Sequence, residues 1–206
     1  LELPYQAVTS TDLYLTHYLN DSANDPVMNR IRAQKLRNSE EDKVKIFFVP
    51  SYLNGDDGVF NMPYYDLLVG MDLTAFPSYY EPWGYTPLES LAFKVPTITT
   101  TLAGFGLWVK EHYNMNHPGI EVIHREDGDA SNVATAIAEW VKNYTQVGET
   151  EMQKDRDNAK DVSRIALWDN LINYYKQAYT IALNQVSVRL KDLPANMNES
   201  VSYIEK

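Results

Sequence analysis

The chain has 206 residues, 44% of them hydrophobic, which is enough to bury a real core and fits one large domain or one domain with a helical tail. Its net charge of −10 argues against nucleic-acid binding, which needs a basic face. With no cysteine it has no disulfide framework, cysteine zinc site or thiol nucleophile. No apolar run approaches the ~20 residues that span a bilayer. Leu1-Glu2-Leu3-Pro4 has neither the charged nor the apolar region of a signal peptide, so a cytoplasmic protein is expected. There is no initiator Met, and the expectation is a chain that starts inside a longer protein.

Residues 1–24 have weak periodicity and read as irregular. Asp25-Pro26 fits a helix start, with Asp as N-cap and Pro at the first helical position. That helix is expected to run to Asn38-Ser39, with Arg30, Arg32, Lys35 and Arg37 either solvated or gathered as an anion site. Lys43 to Pro50 reads as a strand whose near-continuous apolar end suits a sheet covered on both faces. A punctuated loop, Ser51 to Pro63, and a short helix, Tyr64 to Met71, follow. Asp72 to Phe76 reads as the next strand and Thr86 to Phe93 as a helix. Val95 to Thr100 is a strand, Leu102 to Gly106 a Gly-bearing turn, Leu107 to Tyr113 a helix, and Gly119 to His124 a strand. Three helices are expected after it: from Asp129, from Glu149 to Arg164, and from Trp168 to Leu190.

Strands alternating with helices predict an α/β fold: a Rossmann-like parallel sheet of four strands after residue 40, flanked by helices, with extra C-terminal helices. The expected division is 1–190 as one Rossmann-like domain that includes the C-terminal helices and 191–206 as a tail or linker. No repeat, GxGxxG or Walker loop is present, and Gly104-Phe105-Gly106 is too short to stand for one.

The richest stretch is Tyr79-Tyr80-Glu81-Pro82-Trp83-Gly84-Tyr85-Thr86-Pro87-Leu88-Glu89. It leaves a strand and opens a helix, the place where open α/β sheets bind ligands. A helix N-terminus there offers unpaired N–H groups to an anion, so Trp83, Gly84, Tyr85 and Thr86 form a plausible phosphate cradle. Glu81 reads either as a site carboxylate or as a surface carboxylate favoured by the helix dipole. Glu89, with seven residues between it and Glu81, reads either as a ligand contact or as an ordinary helix glutamate. Tyr52 and Tyr64 flank a loop after a strand and either stack on a base or pack in the core. The histidines are scattered. His112 and His117 are five apart with no third ligand nearby, so no metal site is expected. No serine sits in a GxSxG elbow.

The stretch from Phe76 to Glu89, with its EPWGYTP core, resembles the signature of the animal/fungal-type glycogen synthases, retaining glycosyltransferases of the GT-B fold. Further matching positions are Thr16-His17, Asp25-Pro26 to Arg32, Leu36-Arg37-Asn38, Lys43-Val44-Lys45, Pro50, Pro96 to Thr100 and Gly104-Phe105-Gly106. The convincing part covers about residues 15–110, with Trp168 and Tyr174-Tyr175 as later anchors. The resemblance implies the C-terminal half of a GT-B fold and a transfer of glucose from UDP-glucose to the non-reducing end of an α-1,4-glucan. It implies Glu81 beside the donor glucose as the catalytic residue, and backbone groups of Trp83 and Gly84 at the sugar. Tyr85 and Thr86 would hold the phosphates, Glu89 the ribose, and Tyr52 and Tyr64 the uracil. It implies no metal and no cofactor beyond the substrate. Expected partners are UDP-glucose, glucan, an N-terminal GT-B domain of the same protein and, in the full-length enzyme, further copies of itself; neither nucleic acid nor membrane is among them.

Three departures stand out. The family's Arg/Lys pair for the leaving diphosphate would lie upstream of Leu1, with the acceptor-side domain, so the chain alone is expected to be inactive. The helix from Arg156 to Arg164 lacks most of the family's regulatory arginines, which puts glucose-6-phosphate control in doubt. Val49 stands where the family usually has His. Two rival readings remain: a related retaining enzyme with another donor such as ADP-glucose, and a non-catalytic nucleotide- or glucan-binding module. The paired Glu81 and Glu89 argue against the second.

Overall fold

Three short parallel strands and the helices on both their faces carry the motif. The computed structural model describes residues 14–113 and 119–191. Its elements are α1 (Pro26–Ala33), α2 (Tyr64–Leu68), β1 (Thr74–Ala75), α3 (Tyr85–Ala92), β2 (Thr97–Thr100), α4 (Gly104–His112), β3 (Ile120–Ile123), α5 (Ala130–Tyr144), α6 (Glu149–Ile165) and α7 (Trp168–Lys191). Contacts group the chain into two compact units that divide between Gly70 and Met71. Of the expected tail, residues 192–206 lie outside the described residues.

In the second unit the strand order is β1-β2-β3, all parallel. The α/β reading is therefore correct. Side chains alternate across the sheet as the two-residue period requires. Ile120 and Val122 of β3 point to one face, where they pack with Leu91 of α3, Phe105 and Val109 of α4, and Ala159 and Val162 of α6. Ile98 of β2 and Ile123 of β3 point to the other face and meet Val133 of α5, with Trp140 and Val141 at its margin. Two of the three buried threonines of β2 pair their hydroxyls: Thr97 Oγ1 donates to Val95 O (2.9 Å) and lies 3.0 Å from Ser90 Oγ of α3, and Thr100 Oγ1 donates to Ser78 O (2.7 Å), whereas Thr99 Oγ1 is buried without a partner among the described residues.

The first unit is built around α1. Asp25 caps it as expected, accepting from Met28 N–H (2.9 Å), with Pro26 in the first turn. Met28 and Ile31 bury against Tyr14, with Ile46 and Phe48 alongside. Two expectations fail here. The helix stops at Ala33 rather than near Asn38, and Lys35 and Asn38 both take left-handed backbone (φ 57° each).

Residues 43–50 do not form a ladder. Their pairing is a single parallel bridge, in which Phe48 N–H donates to Tyr14 O (2.6 Å) and Phe48 O accepts from Thr16 N–H (3.1 Å). Asn38 supplies what a neighbouring strand would have given. Its amide donates to Ile46 O (2.7 Å) and accepts from Ile46 N–H (2.9 Å). With no ladder to either side, Val44 and Phe47 stay 58% and 64% exposed, and the sheet among the described residues has three strands, not four. Apolar β-rich composition marks a segment that can be a strand; pairing requires a neighbour that composition does not reveal.

The helix α6 carries Arg156 and Arg164. Arg156 Nη2 donates to Met71 O (3.1 Å) and Asp72 Oδ1 (3.1 Å) at the entry to β1, and Arg164 pairs with Asp161 one turn away (2.9 Å). Both arginines are thus engaged within the chain. No helix among the described residues is long and apolar enough to cross a membrane.

Candidate functional site

Beyond Ala75 the chain stays beside β2 for one more residue: Phe76 N–H donates to Ile98 O (2.8 Å). It then departs and returns at Glu81, whose N–H donates to Leu102 O (3.1 Å) and whose carbonyl accepts from Gly104 N–H (3.0 Å), a parallel bridge to Ala103. Glu81 is therefore fixed by its backbone at the carboxyl edge of the sheet, where the switch-point rule places ligand sites. Its carboxylate is held from the side by Ser78, whose hydroxyl donates to Glu81 Oε2 (3.0 Å).

The excursion between these two anchor points, residues 77–80, is tied from below. Thr100 Oγ1 donates to Ser78 O (2.7 Å). Arg125 Nη1 donates to Pro77 O (2.7 Å) and reaches Ser78 O (3.4 Å), while its guanidinium lies over the Tyr79 ring, 4.9 Å from the centroid.

After Glu81 the chain turns into α3 through Gly84, at φ 107° and ψ 75°, a conformation a residue with a Cβ adopts only under strain. The turn lays the carboxylate against the helix start: a Cβ on Gly84 would sit 3.5 Å from Glu81 Oε2. No side chain caps α3. The N–H groups of Gly84, Tyr85 and Thr86 have no acceptor among the described residues, and Pro87, buried in the first turn, has none to satisfy. Three donors and the positive end of a helix dipole thus open beside one oriented carboxylate, an arrangement suited to a ligand with an anionic part and a hydroxylated part.

Tyr85 and Glu89 are four residues apart on α3 and share one face, away from buried Leu91. Glu89 is half-buried and its carboxylate has no partner among the described residues. Trp83 turns its ring the other way, toward Phe105 (5.7 Å between centroids) and Trp108 (5.8 Å) of α4. Its carbonyl accepts from Phe105 N–H (2.6 Å), and its own N–H has no acceptor among the described residues. The ring borders a cavity of about 610 Å³ lined also by Tyr85, Leu88, Trp108, Trp168 and Tyr174.

The turn read from sequence at Leu102 to Gly106 is in fact the start of α4, at Gly104. Both glycines are required by close approach. A Cβ on Gly104 would meet Pro82 O at 2.1 Å, and one on Gly106 would meet Thr100 O at 2.3 Å. Glycine lowers helix propensity, which is why the segment looks like a turn. The role of Gly104 is to let the loop after Glu81 lie on the helix.

Loop 81–84 and α3 bring together Glu81, Trp83, Gly84, Tyr85, Thr86 and Glu89. Tyr52 and Tyr64 belong to the other unit. There Tyr52 is 93% exposed, and Tyr64 opens α2, its N–H donating to Leu53 O (3.0 Å) and its ring 5.4 Å from that of Tyr65. His112 stacks on Trp108 (4.9 Å), and His117 lies outside the described residues. Among the described residues no group of three or more His, Asp or Glu is placed to hold a metal ion. The sequence assigns no site role to Ser78, Thr100 or Arg125. The signal that could have found Arg125 is its position just past the carboxyl end of β3, the same edge that holds Glu81.

A family model described as glycogen synthase matches residues 7–203. The chain is 34% identical over 167 residues to a Caenorhabditis elegans glycogen [starch] synthase, covering 80% of this chain and 25% of that protein. It is 33% identical over 172 residues to the Neurospora crassa glycogen [starch] synthase, covering 83% of this chain and 24% of that one. Isoform 1 from Saccharomyces cerevisiae is 30% identical over 174 residues, covering 83% of this chain and 25% of the yeast protein. The chain thus spans about a quarter of the length of these curated relatives. An EPWGYTP turn fixed at the carboxyl edge of a parallel sheet and a family match across nearly all its residues lead to one conclusion: the chain belongs to the glycogen synthase family.

Proposed function

We propose that the chain forms the donor side of a cytoplasmic glycogen synthase, which transfers glucose from UDP-glucose to the 4-hydroxyl at a non-reducing end of an α-1,4-glucan with retention of configuration. The observation that carries the reading is the pairing of three acceptor-free N–H groups at Gly84, Tyr85 and Thr86 with the oriented carboxylate of Glu81. Tyr85 and Thr86 bind the diphosphate. The N–H groups of Trp83 and Gly84 contact the sugar, and Glu81 supports the positive charge that grows at the anomeric carbon. Glu89 accepts from the ribose hydroxyls. The acceptor attacks the face from which the diphosphate leaves, through an oxocarbenium-like state. An N-terminal domain of the same protein supplies the acceptor side and cations for the leaving group, and closure excludes water. The reaction needs no metal.

Calorimetry of UDP binding to the full-length protein tests this reading. UDP should bind, and Glu89→Ala should weaken it about tenfold, the effect of losing a charge-assisted hydrogen bond. No binding at millimolar UDP, or an unchanged affinity in the variant, would refute the donor assignment.

A further inference from the structure

Arg125 has no part in the proposed donor contacts. It stands just past β3, and its side chain makes no ion pair with any carboxylate among the described residues. It is directed instead at one short segment: Pro77 O at 2.7 Å, Ser78 O at 3.4 Å and the Tyr79 ring at 4.9 Å. Its own backbone is locked in turn, since Arg125 N–H donates to Thr101 Oγ1 (2.9 Å), which donates to Arg125 O (3.2 Å). In an acidic chain, a half-buried guanidinium spent on neutral carbonyls, with its Nε buried and unpartnered, is poorly explained as a stability device.

The segment it grips is the one that orients Glu81. Ser78 lies under the clamp through its carbonyl and donates to Glu81 Oε2 through its hydroxyl (3.0 Å). Tyr79 and Tyr80 beyond it are exposed, and the ring contact that Tyr79 makes is with Arg125 itself. The chain of contacts therefore runs Arg125, Ser78, Glu81.

We propose that Arg125 is a positioning residue for glucosyl transfer, acting through Ser78 to hold the carboxylate of Glu81 at the start of α3. The proposal rests on the catalytic role proposed for Glu81. A planar fork that donates to carbonyls and stacks on a ring has no substitute in lysine, whose ammonium is a point donor. Freed of the clamp, the segment keeps the Thr100 bond to Ser78 O and the bond from Ser78 N–H to Phe76 O (2.7 Å), neither of which holds Pro77 O or the Tyr79 ring, and a carboxylate displaced by about 1 Å loses much of its effect on a transition state.

The test is a double-mutant cycle in the full-length protein, assayed for glucosyl transfer from UDP-glucose to glycogen. Arg125→Met should lower kcat roughly 10- to 100-fold and leave the KM for UDP-glucose within about threefold. Arg125→Lys should not restore it. In a Glu81→Gln background the same Arg125→Met change should cost less than about threefold, because the group it positions is already gone. An equal loss in both backgrounds, with Glu81→Gln itself impaired, overturns the positioning role and leaves the site reading intact. Wild-type turnover in Glu81→Gln overturns the site reading and this proposal with it. Should Arg125→Met not fold, Ser78→Ala removes a single oxygen and enters the same cycle. It should lower kcat about 3- to 10-fold alone and have no further effect with Glu81→Gln; additivity there overturns the proposal.

Discussion

Replacing Glu81 with alanine in the full-length protein is expected to lower kcat by about 100-fold or more while the KM for UDP-glucose changes by less than about threefold. The split follows from where the residue sits. Its backbone is pinned at both ends, by Leu102 and Gly104, so the substitution removes a side chain and not a structural joint. The carboxylate is oriented by Ser78 before any ligand arrives, which makes it a preorganised charge. A negative group near the anomeric carbon interacts more strongly with the positive charge of the transition state than with the neutral bound sugar, so its loss falls on turnover. The donor phosphates, held in the proposal by backbone N–H groups that the substitution leaves in place, should bind nearly as before. Turnover within about threefold of wild type would remove Glu81 from catalysis.

A second large effect is expected at a residue that touches no ligand. Gly104→Ala adds a Cβ that would lie 2.1 Å from Pro82 O, 3.0 Å from Pro82 C and 3.3 Å from Trp83 Cα. All three are backbone atoms, so no rotamer change relieves the overlap; either the loop after Glu81 lifts or α4 retreats from the core that Phe105 fills. Two effects oppose each other. Alanine in a first helical turn gains up to about 1 kcal/mol of propensity over glycine. Forcing packed backbones apart costs about 3 kcal/mol, so the clash wins and the net loss is about 2 kcal/mol. Thermal unfolding should show a midpoint lower by roughly 4–8 °C for a chain of this size. Gly148→Ala is the control. It sits at the start of α6 with no atom within 4 Å of the added Cβ, and should move the midpoint by only a degree or two. An unshifted midpoint in Gly104→Ala would mean that the loop has room the structure does not show.

The contrast between these two residues shows what could be read in advance. The βα unit around the EPWGYTP turn was legible because the signals are local: an apolar run, a glycine, a proline in a first turn and a helical period on the far side. The positions of β2 and β3 were legible for the same reason. The segment from Lys43 to Pro50 was misread because a strand is completed by its neighbour, and here the neighbour is one residue of bridge and an asparagine side chain. Gly104 was misread because its cause, the carbonyl of Pro82, arrives through space from 22 residues earlier. Arg125 and Ser78 escaped notice on similar grounds. Neither residue type is unusual, and their connection exists only once β3 has been laid beside β2 and the excursion after Phe76 has been drawn over its end. Likewise, nothing local marks the division of the chain between Gly70 and Met71.

The most direct measurement is a crystal structure of the full-length protein with UDP-glucose bound. The diphosphate oxygens should lie about 3 Å from the backbone nitrogens of Tyr85 and Thr86, with the glucose hydroxyls against Glu81. A nucleotide sugar bound elsewhere, with the N–H groups of Gly84, Tyr85 and Thr86 still without an acceptor, would refute the assignment of this turn as the donor site.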